Sequence, residues 1–142
     1  MFTKKKLTIA VCAAIAVLAT GLLMHGKSES AGGGVRIEEL ALGQGNGAEV
    51  GDTVLVHYTG WLINGKKFDS SLDRGRPLVF RIGAGQVIRG VELGTIGMKA
   101  GGRRKITVPA ALAYGKKGVG KLIPPNSDLV FELQLLRGPA SQ

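Results

Sequence analysis

Cysteine, histidine and aromatic residues are scarce in this 142-residue chain, which has one Cys, two His, one Trp, two Tyr and four Phe. A structural zinc site wants about four thiolate or imidazole ligands, so no such site is expected. No disulfide can close within the chain. The single thiol, Cys12, lies in an N-terminal apolar run, which leaves the remainder without a thiolate nucleophile. Acids are few as well, with 10 Asp plus Glu against 19 Lys plus Arg and a formal net charge of +9. Proline is limited to 5 residues, and the 23 glycines follow no third-residue period, which excludes a collagen-like rod. What is abundant is apolar: 44% of the residues are hydrophobic, enough to build a core and too many for a chain disordered throughout. The length allows one globular domain.

Lys4, Lys5 and Lys6 precede an uncharged run from Leu7 to Met24, after which the chain turns polar. This is the layout of an export signal or a membrane anchor, and the run stands at the boundary between the two lengths. Small-x-small sites at Ser28–Ser30 and Ala19–Gly21 leave cleavage open. Cys12 does not fit a lipoprotein cysteine, since Val11 stands before it where a small residue is usual. Three leading lysines favour a cytoplasmic N-terminus with the rest sent across. The expected organisation is therefore residues 1–30 as signal peptide or anchor and residues 31–142 as an extracytoplasmic domain, in the periplasm or cell envelope. From Ala31 onward 15 Lys and Arg face 9 acids, so the domain itself is basic.

Ala31 to Gly34 reads as a linker and Val35 to Leu40 as a first strand. Thr53 to Ile63 is β-branched and aromatic, with Val54, Val56 and Tyr58 on one face, and Asn64-Gly65 signals a hairpin. Leu78, Phe80 and Ile82 alternate, as do Leu129, Phe131, Leu133 and Leu135 within Asp128 to Leu136, and Arg104 to Val108 is a further strand. Between Gln86 and Met98, Ile88, Val91, Thr95 and Met98 recur at helical spacing. About five strands and one short helix place the chain in the α+β class, with the sheet packed over the helix.

Gly115 to Lys121 nearly spells a phosphate loop but ends in Leu122 where a Ser or Thr would hold magnesium, and it runs into Pro124-Pro125 rather than a helix. Arg103 to Lys105 and the lysines at 116, 117 and 121 are the densest basic clusters. Few rings are available to stack bases, so a solvated face is expected and no nucleic-acid partner. His57 has no Ser–acid pattern beside it and reads as structural.

Val56-His57-Tyr58-Thr59-Gly60-Trp61-Leu62 followed by Gly65-Lys66-Lys67-Phe68-Asp69-Ser70-Ser71 resembles the FKBP-type peptidyl-prolyl isomerases. Val87 to Gly90 is similar to the start of that family's helix, Ala113-Tyr114-Gly115 to its hydroxyl-bearing loop, Ile123 to Asn126 to its flap tip, and Leu129 to Glu132 to its closing strand. The resemblance implies a bent antiparallel sheet wrapped around a short helix, with an apolar pocket for a prolyl residue between them. It implies catalytic roles for Tyr58, Phe68, Asp69 and Tyr114, and substrate binding by Val87, Ile88, Val91 and Phe131, with Leu78 and Ile123 at the rim. It further implies proline-containing polypeptide clients and rapamycin-type macrolide ligands. Two departures stand out: Val91 occupies a floor position where many members carry tryptophan, and Leu78 a rim position where phenylalanine is common.

The residues suit that chemistry. Rotating an amide meets a barrier of ~18–20 kcal/mol because resonance must be broken, yet no bond is cleaved. A catalyst for this step needs no nucleophile, metal or cofactor, and none is expected here; a dry site and donors placed for the twisted amide suffice. The alternative is a weakly active binding module or chaperone on the same scaffold, favoured by Val91 and by the basic flap Lys116 to Lys121. A third reading is a basic domain attached to anionic membrane or nucleic acid. Without heptads or a second domain, a monomer is expected.

Overall fold

The structure, a computed structural model, describes residues 29–31 and 34–138. The signal or anchor expected at residues 1–30 lies, apart from Glu29 and Ser30, outside the described residues. Among those described, seven strands form one antiparallel sheet: β1 (Glu29–Ala31), β2 (Val35–Ala41), β3 (Thr53–Leu62), β4 (Lys67–Ser70), β5 (Leu78–Arg81), β6 (Arg103–Val108) and β7 (Leu129–Arg137). Their order is β1-β2-β6-β7-β3-β4, and β5 also pairs with β3. A one-turn helix α1 (Ser71–Arg74) follows β4, and α2 (Arg89–Thr95) follows β5.

The α+β expectation holds in the strands with period-two patterns. Val54 and Val56 of β3, Ile106 and Val108 of β6, and Leu129, Phe131, Leu133 and Leu135 of β7 all point inward and are buried. Each such side chain contributes about 1.5–3 kcal/mol by leaving water. The strand count differs from five because β1 and β4 carry no alternation. β4 is only four residues long and irregular, and Ala31, read as linker, closes β1 opposite Val35.

The helix expected between Gln86 and Met98 is α2, trimmed to Arg89–Thr95 with Ile88 as its N-cap. Gly90 and Gly94 allow it to lie directly on β6. A Cβ at Gly94 would sit 2.6 Å from Ile106 Cδ1, and one at Gly90 would collide with Val108. The C-terminal carbonyls of α2 are satisfied by the buried Arg104, whose Nη1 donates to Gly94 O (2.8 Å) and Ile96 O (2.7 Å). Its charge is paired with Glu39 at 2.8 Å. At the other end, Glu92 is 3% exposed and its Oε2 accepts the amides of Gly83 (2.8 Å) and Gly85 (3.0 Å). A buried carboxylate is stable only with such donors, and the bonds tie the β5–α2 loop to the helix.

Candidate active site

Tyr58 reaches the inner face of the sheet from the middle of β3, and its hydroxyl donates to Asp69 Oδ2 at 2.5 Å. Asp69 lies on β4, opposite Gly60. Arg74, in the last turn of α1, donates from Nη1 to Asp69 Oδ1 and from Nη2 to the Tyr58 hydroxyl, the latter at 2.7 Å. Its guanidinium also lies 5.6 Å from the Tyr58 ring centroid. The Ser70 amide donates to Asp69 Oδ1 at 2.8 Å. Asp69 is thus a carboxylate engaged by three neighbours.

Local sequence explains α1. The Ser70 hydroxyl accepts the Leu72 amide at 3.1 Å, capping the turn, and Gly75 ends it at φ 71°, a left-handed backbone that glycine adopts freely. Ser71 is fully buried beneath. Its Oγ accepts the Tyr58 amide at 2.9 Å and is hydrogen-bonded to His57 Nδ1 at 2.7 Å. The histidine read as structural therefore helps moor α1 to β3.

Three rings pack beside the carboxylate. Phe131 lies 5.7 Å from Phe68, nearly edge-on at 87°, and 6.3 Å from Tyr58. Phe68 reaches this cluster through a β-bulge. Gly60 pairs with Asp69 and Trp61 with Lys67, so Phe68 between them has no opposite residue. In a regular strand Phe68 and Asp69 would face opposite sides; the extra residue re-aims them. Gly60 leaves the space, since a Cβ there would lie 2.6 Å from Phe68 and 2.8 Å from Phe131.

Val91 and Ile123 belong to the same buried core of the domain as Phe131, and Leu78, Val87 and Ile88 pack against that core half-buried. Among the described residues the Ile88 amide has no hydrogen-bond acceptor, while its carbonyl accepts from Val91. Tyr114 lies in the loop after the 3-10 turn Ala110–Leu112 and is 40% exposed. Burial, then the Asp69 charge, push its hydroxyl above the ordinary tyrosine range, which places it in the field of the carboxylate. Burial raises Tyr58 likewise, and its hydrogen bond to Asp69 adds to the rise. For Asp69, burial acts upward but is outweighed by donation from Tyr58 and Arg74 and by the Arg74 charge, so its carboxyl is held below the ordinary range. At neutral pH the site holds an ionised carboxylate and two protonated phenols.

Of the residues singled out in the sequence, Tyr58, Phe68, Asp69 and Phe131 meet in one cluster, and Arg74, Gly60 and Ser71 join them. Arg74 is five residues from Asp69 and sixteen from Tyr58, a juxtaposition made only by α1. The capping pattern Ser70-Ser71-Leu72-Asp73 ahead of Gly75 is the local signal for that turn.

An antiparallel sheet packed on a short helix, with a carboxylate–phenol–ring cluster carried by β3, β4 and β7, defines an FKBP-like α+β domain. Comparison with known proteins agrees. The profile of the family described as FKBP-type peptidyl-prolyl cis-trans isomerase matches residues 45–136. An FK506-binding protein of Neisseria meningitidis serogroup B is 53% identical over 105 residues, covering 74% of this chain and 96% of that protein. FK506-binding protein 1 of Saccharomyces cerevisiae is 47% identical over 111 residues, covering 78% and 97%. Among solved structures, AtFKBP13 superposes with a TM-score of 0.72 at 41% identity, over 80% of this chain and 99% of that one. FkpA from Escherichia coli gives 0.72 at 35% identity, over 97% and 69%. The chain belongs to the FKBP-type peptidyl-prolyl cis-trans isomerases.

Proposed function

We propose that this isomerase accelerates Xaa-Pro rotation in proteins folding outside the cytoplasm, with catalysis at the Tyr58–Asp69–Tyr114 cluster. Unaided Xaa-Pro isomerisation takes tens to hundreds of seconds, slow enough to limit folding. Tyr58, Phe68 and Phe131 form apolar walls for the prolyl ring, over a floor that includes Val91. Val87, Ile88, Leu78 and Ile123 extend those walls toward the rim. In this dry setting the planar, resonance-polarised amide loses more than the twisted one, which lowers the barrier. The Tyr114 hydroxyl and the Ile88 amide donate to substrate carbonyls, and Asp69 fixes the Tyr58 ring through its hydroxyl. No bond is made or broken to the enzyme. The observation that carries this reading is the Tyr58–Asp69–Arg74 triangle set against the edge-on pair Phe68–Phe131.

The extracytoplasmic setting rests on Lys4 to Lys6 and the uncharged run Leu7 to Met24. The chain acts there as a monomer, released or held to the inner membrane by residues 1–30. FK506-type macrolides, the ligand in the relatives' names, occupy the same walls, as do those of the rapamycin type. The second reading, a weakly active binding module, is favoured by one observation: the buried Val91 supplies less surface to a proline ring than an aromatic residue would.

The test is protease-free cis–trans relaxation of Xaa-Pro peptides by the full chain, with rapamycin as competitor. Acceleration that rapamycin abolishes, and that Asp69→Ala and Tyr114→Phe each lower by about tenfold (~1.4 kcal/mol of transition-state stabilisation), is the expected result. A folded chain that accelerates no peptide yet binds unfolded polypeptide would replace the enzyme reading with the binding module.

A further inference from the structure

Rotating an amide needs no cation, yet the loop joining Tyr114 to Ile123 carries three. Lys116, Lys117 and Lys121 are its only charged side chains, and no Asp or Glu occurs from Pro109 to Ser127. All three lysines are exposed, and among the described residues none forms an ion pair. Among the described residues the acids that border the region form no ion pair with these lysines. Asp69 is paired with Arg74, and Asp128 accepts the Ala110 amide at 2.9 Å.

The loop is also a closed structure. The Gly118 amide donates to Tyr114 O at 3.1 Å, the Val119 amide to Ile123 O at 2.8 Å, and the Asn126 amide to Gly115 O at 2.8 Å. Gly118 makes the fold-back at φ 62°, where a side chain would collide with Ile123 O. Because the loop starts at Tyr114, which is 40% exposed, its lysines border any polypeptide that reaches the Tyr114 hydroxyl.

We propose that this loop makes the enzyme selective for polypeptides that carry acidic residues beside the proline. The inference rests on the isomerase reading of the site. Uncompensated charges at a rim act on encounter and on retention of the bound chain, and they weaken with salt. They touch planar and twisted amide alike, so the selectivity belongs to KM, with kcat unchanged.

The experiment compares three peptides sharing one Leu-Pro centre, flanked by Glu, by Lys or by uncharged residues, on the full chain and on the variant Lys116→Gln/Lys117→Gln/Lys121→Gln. At low salt kcat/KM for the Glu-flanked peptide should exceed that for the Lys-flanked one by about fivefold, through KM. The preference should vanish between about 0.01 M and about 1 M salt, as the screening length falls from about 30 Å to about 3 Å. The triple Gln variant should lose the preference while keeping the wild-type rate on the uncharged peptide, and replacement of all three lysines by arginine should preserve it. Equal rates on the two charged peptides at low salt, or a preference that survives in the Gln variant, would overturn the inference and leave the isomerase reading standing. Equal peptide rates combined with loss of binding to anionic phosphatidylglycerol vesicles in the Gln variant would overturn it in favour of a membrane surface. No acceleration of the uncharged peptide would remove the isomerase reading, and this inference with it.

Discussion

Asp69 accepts hydrogen bonds from Tyr58, Arg74 and the Ser70 amide, so its carboxylate is committed to holding neighbours in place. In the proposed pocket, Val91 is the floor residue whose side-chain size is open to test. It is 6% exposed, within the same buried cluster as Phe131. Val91→Trp is expected to tighten rapamycin binding about two- to tenfold, the range given by an added aromatic contact. It should also lower stability by about 1–3 kcal/mol, because the core must move to admit the ring. Titration calorimetry and urea unfolding measure the two effects separately. Tyr58, Phe68 and Asp69 were legible in the sequence because they stand in one short motif. Arg74 was not, because its role exists only where α1 turns it back over β3.

At the scale of elements, the bulge in β4 shapes the aromatic cluster, and the tether on α2 holds the β5–α2 loop to the helix. An alternating pattern would have put Phe68 and Asp69 on opposite faces, and no sequence period announces the residue that breaks it. Gly60→Ala tests the space the bulge fills. Its methyl would meet both Phe68 and Phe131, so stability should fall by about 1–3 kcal/mol, with loss of the Phe68–Phe131 contact visible by NMR. Glu92 acts across elements by accepting the Gly83 and Gly85 amides. Glu92→Ala should cost about 1.5–3 kcal/mol, since it removes the charge-assisted bonds that the buried carboxylate makes to these two amides. The Gly83 and Gly85 amides should then lose protection from hydrogen exchange, and Glu92→Gln should recover part of both effects through its remaining acceptor oxygen. The long strands β3 and β7 were legible from their alternation, whereas β1 and β4 are strands only because β2 and β3 supply partners.

For the whole molecule, the pH dependence of stability follows from the site's own charges. The Asp69 carboxyl is held below its ordinary range in the folded state, so the unfolded chain binds the proton more readily. Its stabilising contribution is present in full above the ordinary carboxylate pKa of about 3.9 and disappears as pH falls through the lower folded value. The stability gap between the wild type and Asp69→Asn should therefore be constant at neutral pH and close only as pH falls below the ordinary carboxylate value. Denaturant midpoints across that interval check it. The Tyr114 hydroxyl is shifted upward, so its proton stays in place throughout, and kcat/KM should show no fall on the alkaline side until beyond the ordinary tyrosine pKa of about 10.

The amino-acid sequence alone determined the α+β class, the inward faces of the long strands, the absence of a thiol from residue 31 onward and the motif that carries Tyr58, Phe68 and Asp69. These depend on local periodicity and on residue type, both of which a linear chain displays. Tertiary structure decided the rest: that Arg74 completes the carboxylate site, that a bulge aims Phe68 at Phe131, that Gly90 and Gly94 seat α2 on β6, and that Glu92 and Arg104 each have partners for a buried charge. Each of these is a contact between segments distant in the chain or out of phase with it. Such contacts exist only once the backbone has closed on itself and removed the alternatives that water offered.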